Sequence, residues 1–158
     1  AAPENVLISK DTDSNGVLES YQLANKQVTV WEGQQIIWGT PAEWEIEQIL
    51  LADADNDGSE ELLMVLWKYG SFGDVKPFWE EQEDWAYSCH LFMYRLQAGR
   101  MRAVWCSSAI DPPITEISAI TDSAQKVSLE IKERSQFPYP ATCTTWQWQD
   151  WGFARIDD

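Results

Sequence analysis

The sequence predicts an all-β chain of three four-stranded antiparallel units, and three observations carry that reading. Short apolar or alternating runs recur along all 158 residues, separated by Gly, Pro, Asn and Asp. No stretch shows the 3.6-residue period of an amphipathic helix. An acidic loop of fixed internal spacing occurs twice, 42 residues apart, and a similar succession of short strands follows each copy. A β-sandwich is the alternative architecture that short strands and turns also allow.

The second acidic loop is the more informative copy. It reads Asp53-Ala54-Asp55-Asn56-Asp57-Gly58-Ser59-Glu60-Glu61, with acids at positions 1, 3, 5 and 9 and glycine at 6. That spacing gathers carboxylate oxygens around a hard cation, and Gly58 permits the sharp turn. Without a cation, four carboxylates so close together repel one another. An EF-hand would also need a bidentate Glu at position 12 and a helix on each side. Position 12 here is Met64, and the flanks (residues 47–51 and 62–67) are strand-like, so Glu61 closes the site instead. The first copy is Asp11-Thr12-Asp13-Ser14-Asn15-Gly16-Val17-Leu18-Glu19, with Asn at position 5. The expected side-chain ligands are Asp53, Asp55, Asp57 and Glu61 in one site and Asp11, Asp13, Asn15 and Glu19 in the other. Position 7 (Ser59 or Val17) would add a backbone carbonyl. The first site is expected to be the weaker, because Asn15 carries no charge. A metal-free, Asx-rich hairpin turn is the competing reading.

The two loops resemble the calcium loop of the integrin-alpha-type propeller repeats, the FG-GAP or VCBS repeats. The resemblance implies calcium as the ion and propeller-type blades as the fold. In this grammar the first unit spans residues 5–41. Its strands are Val6–Ser9, Leu18–Leu23, Gln27–Glu32 and Gln35–Thr40, with turns at Asn25-Lys26 and near Gly33. The second unit spans 44–111, with strands Glu47–Ala52, Glu61–Lys68, His90–Leu96 and Arg100–Cys106. Trp38 and Trp105 hold equivalent places near the end of the fourth strand. The third unit spans 114–158. Ile117–Ile120 opens it, Val127, Leu129 and Ile131 alternate with polar residues, and a hairpin runs from Thr144–Trp148 into Gly152–Ile156. Its loop, Asp122-Ser123-Ala124-Gln125, keeps a single acid, and no metal is expected there. The three units form one domain.

Charge narrows the partners. A net charge of −15 argues against nucleic acid and against anionic membrane surfaces. No apolar run approaches the roughly 20 residues of a membrane span. The chain opens Ala1-Ala2-Pro3 without a charged or apolar leader, which fits the end left by signal cleavage. Acidic composition and loops suited to high free calcium favour an extracellular or cell-surface protein. Cys89, Cys106 and Cys143 allow at most one internal disulfide. A turn at Ala98-Gly99 would set Cys106 opposite Leu91, out of register with Cys89, so a bridge between those two is not expected.

Of the ten tryptophans, Trp31, Trp38, Trp67, Trp105, Trp146 and Trp148 fall in strands and are expected to fill gaps between units. Trp44 precedes a strand and is open to either a core or a surface reading. The connection from Lys68 to Cys89 is long and aromatic, with Phe78, Trp79, Trp85 and Tyr87. Phe137 and Tyr139 lie in the same connection of the third unit. By strand order both connections open on the face opposite the acidic loops. That face suits a glycan or protein ligand, or else the long loop folds down as a plug. Enzyme readings are weak. His90 is the only histidine, which excludes a zinc site with several histidines, and nothing marks a Ser-His-Asp triad. Glu80, Glu81, Glu83 and Asp84 leave a glycoside-acting carboxylate pair as an alternative. Three blades also leave two open end faces. Apolar side chains there would favour a homo-oligomer or a head-to-tail polymer.

Overall fold

The computed structural model describes residues 5–69, 87–135 and 138–156. Within them the chain forms strands and no helix, so none long and apolar enough to cross a membrane. The first sheet holds β1 (Val6–Lys10), β2 (Glu19–Ala24), β3 (Gln27–Glu32) and β4 (Gln35–Gly39). The second holds β5 (Glu45–Ala52), β6 (Glu61–Tyr69), β7 (Tyr87–Gln97) and β8 (Arg100–Cys106). The third holds β9 (Ile114–Thr121), β10 (Val127–Glu133), β11 (Cys143–Trp148) and β12 (Phe153–Ile156). Each sheet is antiparallel, keeps its strands in chain order and has two edges. None closes into a barrel.

Strand β6 dictates how the sheets stack. It is apolar without a break from Leu62 to Trp67. Side chains of a strand alternate between its two faces, so such a run needs apolar cover on both. The other two sheets supply it. Leu62, Met64 and Leu66 enter a core with Tyr21, Leu23, Val28 and Val30 of the first sheet. Leu63 and Val65 point the other way, into a core with Ile117, Leu129, Ile131 and Phe153 of the third. Each fully buried Leu, Met or Val contributes about 1.5–3 kcal/mol relative to exposure. The outer sheets need cover on one face only, and their strands alternate accordingly. Tyr21 and Leu23 face in while Ser20 and Gln22 face out; Leu129 and Ile131 face in while Glu130 and Lys132 face out.

The first two sheets share a detail of register. A bulge interrupts β3–β4 between Val30 and Trp31, and another interrupts β7–β8 between Met93 and Tyr94. Trp38 is thereby set opposite Val30, and Trp105 opposite Met93. Each indole then packs on the following sheet. Trp38 meets Tyr94 with ring centroids 5.0 Å apart, and Trp105 meets Phe153 edge-on at 5.3 Å. Polar bonds join the sheets at the edge strand β5. Gln48 Nε2 donates to the Ile117 carbonyl at 2.7 Å, and its Oε1 accepts from the Ile117 amide at 2.8 Å. The Ile46 amide donates to the Lys26 carbonyl at 2.9 Å. Backbone groups that no ladder would pair are satisfied this way.

Several sequence expectations change here. Strand β7 begins at Tyr87 rather than His90, because Tyr87 pairs with Tyr69. Strand β9 spans Ile114–Thr121 rather than 117–120, and its first residue pairs with Glu133. Cys106 lies opposite Phe92, not Leu91, because the bulge takes up Val104. No disulfide joins Cys89, Cys106 and Cys143. Trp44 is a core residue, edge-on to Phe92 at 5.1 Å. Trp31 fills no gap between sheets; it sits outside both cores, opposite Ile36.

The end faces are also less apolar than an open stack predicts. Outward positions of the first sheet carry Ser9, Ser20, Gln22 and Thr29, with Leu7, Trp31 and Ile36 as apolar exceptions. Those of the third carry Glu116, Ser118, Glu130 and Lys132, with exposed Ile120 as an apolar exception. Polar side chains of this kind are stable against water.

Gly152 packs directly against Trp105 of the second sheet. A Cβ there would stand 2.5 Å from Trp105 Nε1. Gly152→Ala should displace the indole and lower stability by about 1–3 kcal/mol, read as a lower denaturant midpoint. An unchanged midpoint would mean that Trp105 does not pack there.

Candidate metal centres

The acidic loops join β1 to β2 and β5 to β6. Both reverse the chain through left-handed backbone at positions 4 and 6. Ser14 and Gly16 have φ of 58° and 85°, and Asn56 and Gly58 have 58° and 95°. Glycine takes up such a φ without a Cβ clash. The hydrogen bonds recur as well. Asp11 accepts from the amides of Asn15 and Gly16 at 3.2 and 2.9 Å. Asp53 accepts from those of Asp57 and Gly58 at 3.0 and 2.9 Å. Position 5 accepts from the amide of position 7 at 2.9 Å in both loops, Asn15 from Val17 and Asp57 from Ser59. Backbone amides therefore fix the acidic side chains before any ion is considered.

Glu19 and Glu61 complete the two groups. Each opens the second strand of its sheet on the inward face, two residues before Tyr21 and Leu63 respectively. Both are 0% exposed. Glu19 Oε1 accepts from the Thr12 amide at 2.8 Å and the Thr12 hydroxyl at 3.0 Å. That hydroxyl also shares a hydrogen bond of 2.6 Å with the Tyr21 hydroxyl. Oε2 of each glutamate is buried without a hydrogen-bond partner. A carboxylate oxygen in that state is unfavourable unless a proton or a cation reaches it.

Asp53, Asp55, Asp57 and Glu61 offer oxygens that all lie within 4.8 Å of one another, and Asp11, Asp13 and Glu19 do the same. Such groups can hold a metal ion. The donors are all oxygen, which suits a hard cation. The electrostatics agree. Burial pushes the Glu61 carboxyl up to about 9, joined by its hydrogen bond to Asp55 and by the charges of Asp55 and Asp57. Burial raises Glu19 and Asp13 too, and takes the Tyr21 hydroxyl up to about 12. Asp57 goes the other way: burial raises it, but the Ser59 amide, Asp55 and Arg95 together outweigh that.

Sequence reasoning missed Arg95. Its Nη2 pairs with Asp55 and Asp57 and lies 3.6 Å from Glu61 Oε2. The available signal was register: Arg95 follows Tyr94, which pairs with Leu62, so it falls beside Glu61. In the first sheet the corresponding place, opposite Glu19, holds Glu32. Glu32 accepts from Asn15 Nδ2 at 3.1 Å. The third loop differs in kind. Asp122 accepts from the amides of Ala124 and Lys126 at 2.8 and 2.9 Å and closes its turn as a lone acid.

Of the six aromatic residues expected on the opposite face, Phe78, Trp79, Trp85 and Phe137 lie outside the described residues, as do Glu80, Glu81, Glu83 and Asp84. Tyr87 is at the end of the second sheet far from its acidic loop, part-exposed and stacked on Trp67 at 5.4 Å. Tyr139, in the connection from β10 to β11, is exposed. A shallow cleft of about 270 Å³ opens there between Glu45, Glu47, Trp67, Tyr87 and Arg134. Arg134 caps the Trp67 ring, 5.5 Å from its centroid. His90 is buried, with Ser88 on one ring nitrogen at 2.9 Å and the Ser107 carbonyl on the other at 3.0 Å.

Compared with known proteins, the chain matches no family model, no curated protein and no solved structure.

The second loop is also tied to the third sheet. The Asn56 side chain donates to the Val127 carbonyl at 3.2 Å and accepts from the Val127 amide at 2.7 Å. Asn56→Gly keeps the left-handed turn and removes both bonds. It should cost about 1 kcal/mol, measured by chemical denaturation. No loss would show that the loop docks without this pair.

Proposed function

We propose that this chain is a calcium-stabilised β-repeat module with a binding role, working outside the cell. One observation supports the ion above all. Two loops of like geometry each converge on a buried glutamate with an oxygen that accepts no hydrogen bond. Calcium suits them better than magnesium. Clustered carboxylates with an added carbonyl match its flexible oxygen shell, whereas magnesium holds a tight octahedron and keeps much of its water. The ligands would be Asp11, Asp13, Asn15 and Glu19 with the Val17 carbonyl, and Asp53, Asp55, Asp57 and Glu61 with the Ser59 carbonyl.

Sheets stacked face to face, the first two each with a fourth-strand tryptophan reaching the next, support a blade-like arrangement of the FG-GAP or VCBS kind without ring closure. The cleft at the far end, with Trp67 and Tyr87 beside Glu45, Glu47 and Arg134, supports a glycan or protein ligand. Binding is favoured over catalysis because the sole histidine is buried and engaged on both ring nitrogens. The polar end faces do not favour assembly by blade-on-blade stacking.

Extracellular-type sites bind at about 0.1–1 mM, so millimolar calcium should add about 0.4–1.4 kcal/mol per site. Chelation should lower the melting temperature accordingly. Glu19→Gln should act with opposite signs. In chelator it should stabilise, because burial opposes the charged form of Glu19 and an amide needs no cation. In calcium it should lose most of the first loop's gain. A melting curve indifferent to calcium, chelator and this substitution would sink the proposal.

A further inference from the structure

The two loops are alike in backbone and unlike in what lies across the strand. Beside Glu61 stands Arg95, whose Nη2 touches Asp55 and Asp57 and approaches Glu61. Beside Glu19 stands Glu32, reached through Asn15. Among the described residues no ion pair involves Asp11, Asp13, Glu19 or Glu32. Lys10, opposite Glu19 in the β1–β2 register, pairs with Glu60 instead, so among the described residues the first loop gathers Asp11, Asp13, Glu19 and Glu32 without an ion-pair partner. The second gathers Asp53, Asp55, Asp57 and Glu61 with one.

We propose that Arg95 is a resident counter-cation that competes with the divalent ion at the second loop, so that the first loop fills first. This rests on the reading that the loops take a divalent cation. It reverses the ranking that the uncharged Asn15 suggests by itself, because Glu32 restores the missing negative charge and Arg95 cancels one in the other loop. The side chain has room to leave: it is 27% exposed, while the Glu61 carboxylate it approaches is 0% exposed. On ion entry the guanidinium gives up its contacts with Asp55 and Asp57 and turns to solvent, and the ion takes their oxygens. Until then the second loop holds its shape without metal. The first has no such substitute, and the Glu19 oxygen stays unpartnered.

The Gly16 and Gly58 amides report the two loops separately, since each donates to the first aspartate of its own loop. Their resonances should be followed by two-dimensional NMR during a calcium titration of the full chain. In the wild type Gly16 should shift at lower calcium than Gly58. In Arg95→Gln the Gly58 midpoint should fall about tenfold, as expected for losing one unit charge near contact distance in surroundings between water and protein interior, while Gly16 holds its place. Gly58 shifting first, both shifting together, or an unmoved Gly58 midpoint in Arg95→Gln would each overturn the competition and leave calcium binding intact. Neither glycine shifting at millimolar calcium, in either protein, would overturn calcium binding and the proposal together. If Arg95→Gln does not fold, the wild-type order alone decides.

Discussion

Strand β6 is apolar on both faces, and the rest of the molecule answers to that. A strand of this kind is stable only between two apolar surfaces. The first and third sheets supply one each, and so they need to be apolar on one face only. The outward alternation of Ser20 and Gln22, and of Glu130 and Lys132, follows from this.

The same constraint creates the candidate metal sites. Glu61 is the first residue of β6, at the rim of a packed core. Its carboxylate is buried, and its neighbours are Asp55, Asp57 and Arg95. Glu19 stands in the same relation to β2 and the first core. Rigid packing below and amide-fixed aspartates above leave each group short of positive charge. The chain answers differently in the two places: an arginine reaches into one, and among the described residues no ion pair reaches the other. Each group could hold a metal ion.

Much of this was legible in the sequence because it depends on local spacing. The 1, 3, 5, 6, 9 loops, the turns at Asn25-Lys26 and Ala98-Gly99, and the alternation in β10 are set by residues close to one another in the chain. Trp38 and Trp105 could be matched because the repeat carries them at the same point. What escaped notice depends on partners distant in sequence. Arg95 comes 34 residues after Glu61, and only the β6–β7 register brings them together. The bulge at Val104, which moves Cys106 opposite Phe92, leaves no mark in the polar–apolar pattern. The outward turn of Trp31 was hidden for a similar reason. Tryptophan reads as core in any strand, and only the burial of Val30 shows which face is which.

The central claim is that these loops are divalent-cation sites seated on a doubly buried stack. A crystal structure grown in millimolar calcium, with anomalous differences measured at long wavelength, tests it most directly. The account predicts a peak in the first loop, at about 2.3–2.6 Å from side-chain oxygens of Asp11, Asp13, Asn15 and Glu19, with the Val17 carbonyl completing the shell. A first loop without a peak, its Glu19 carboxylate bonded to water or to a protein cation, would contradict it.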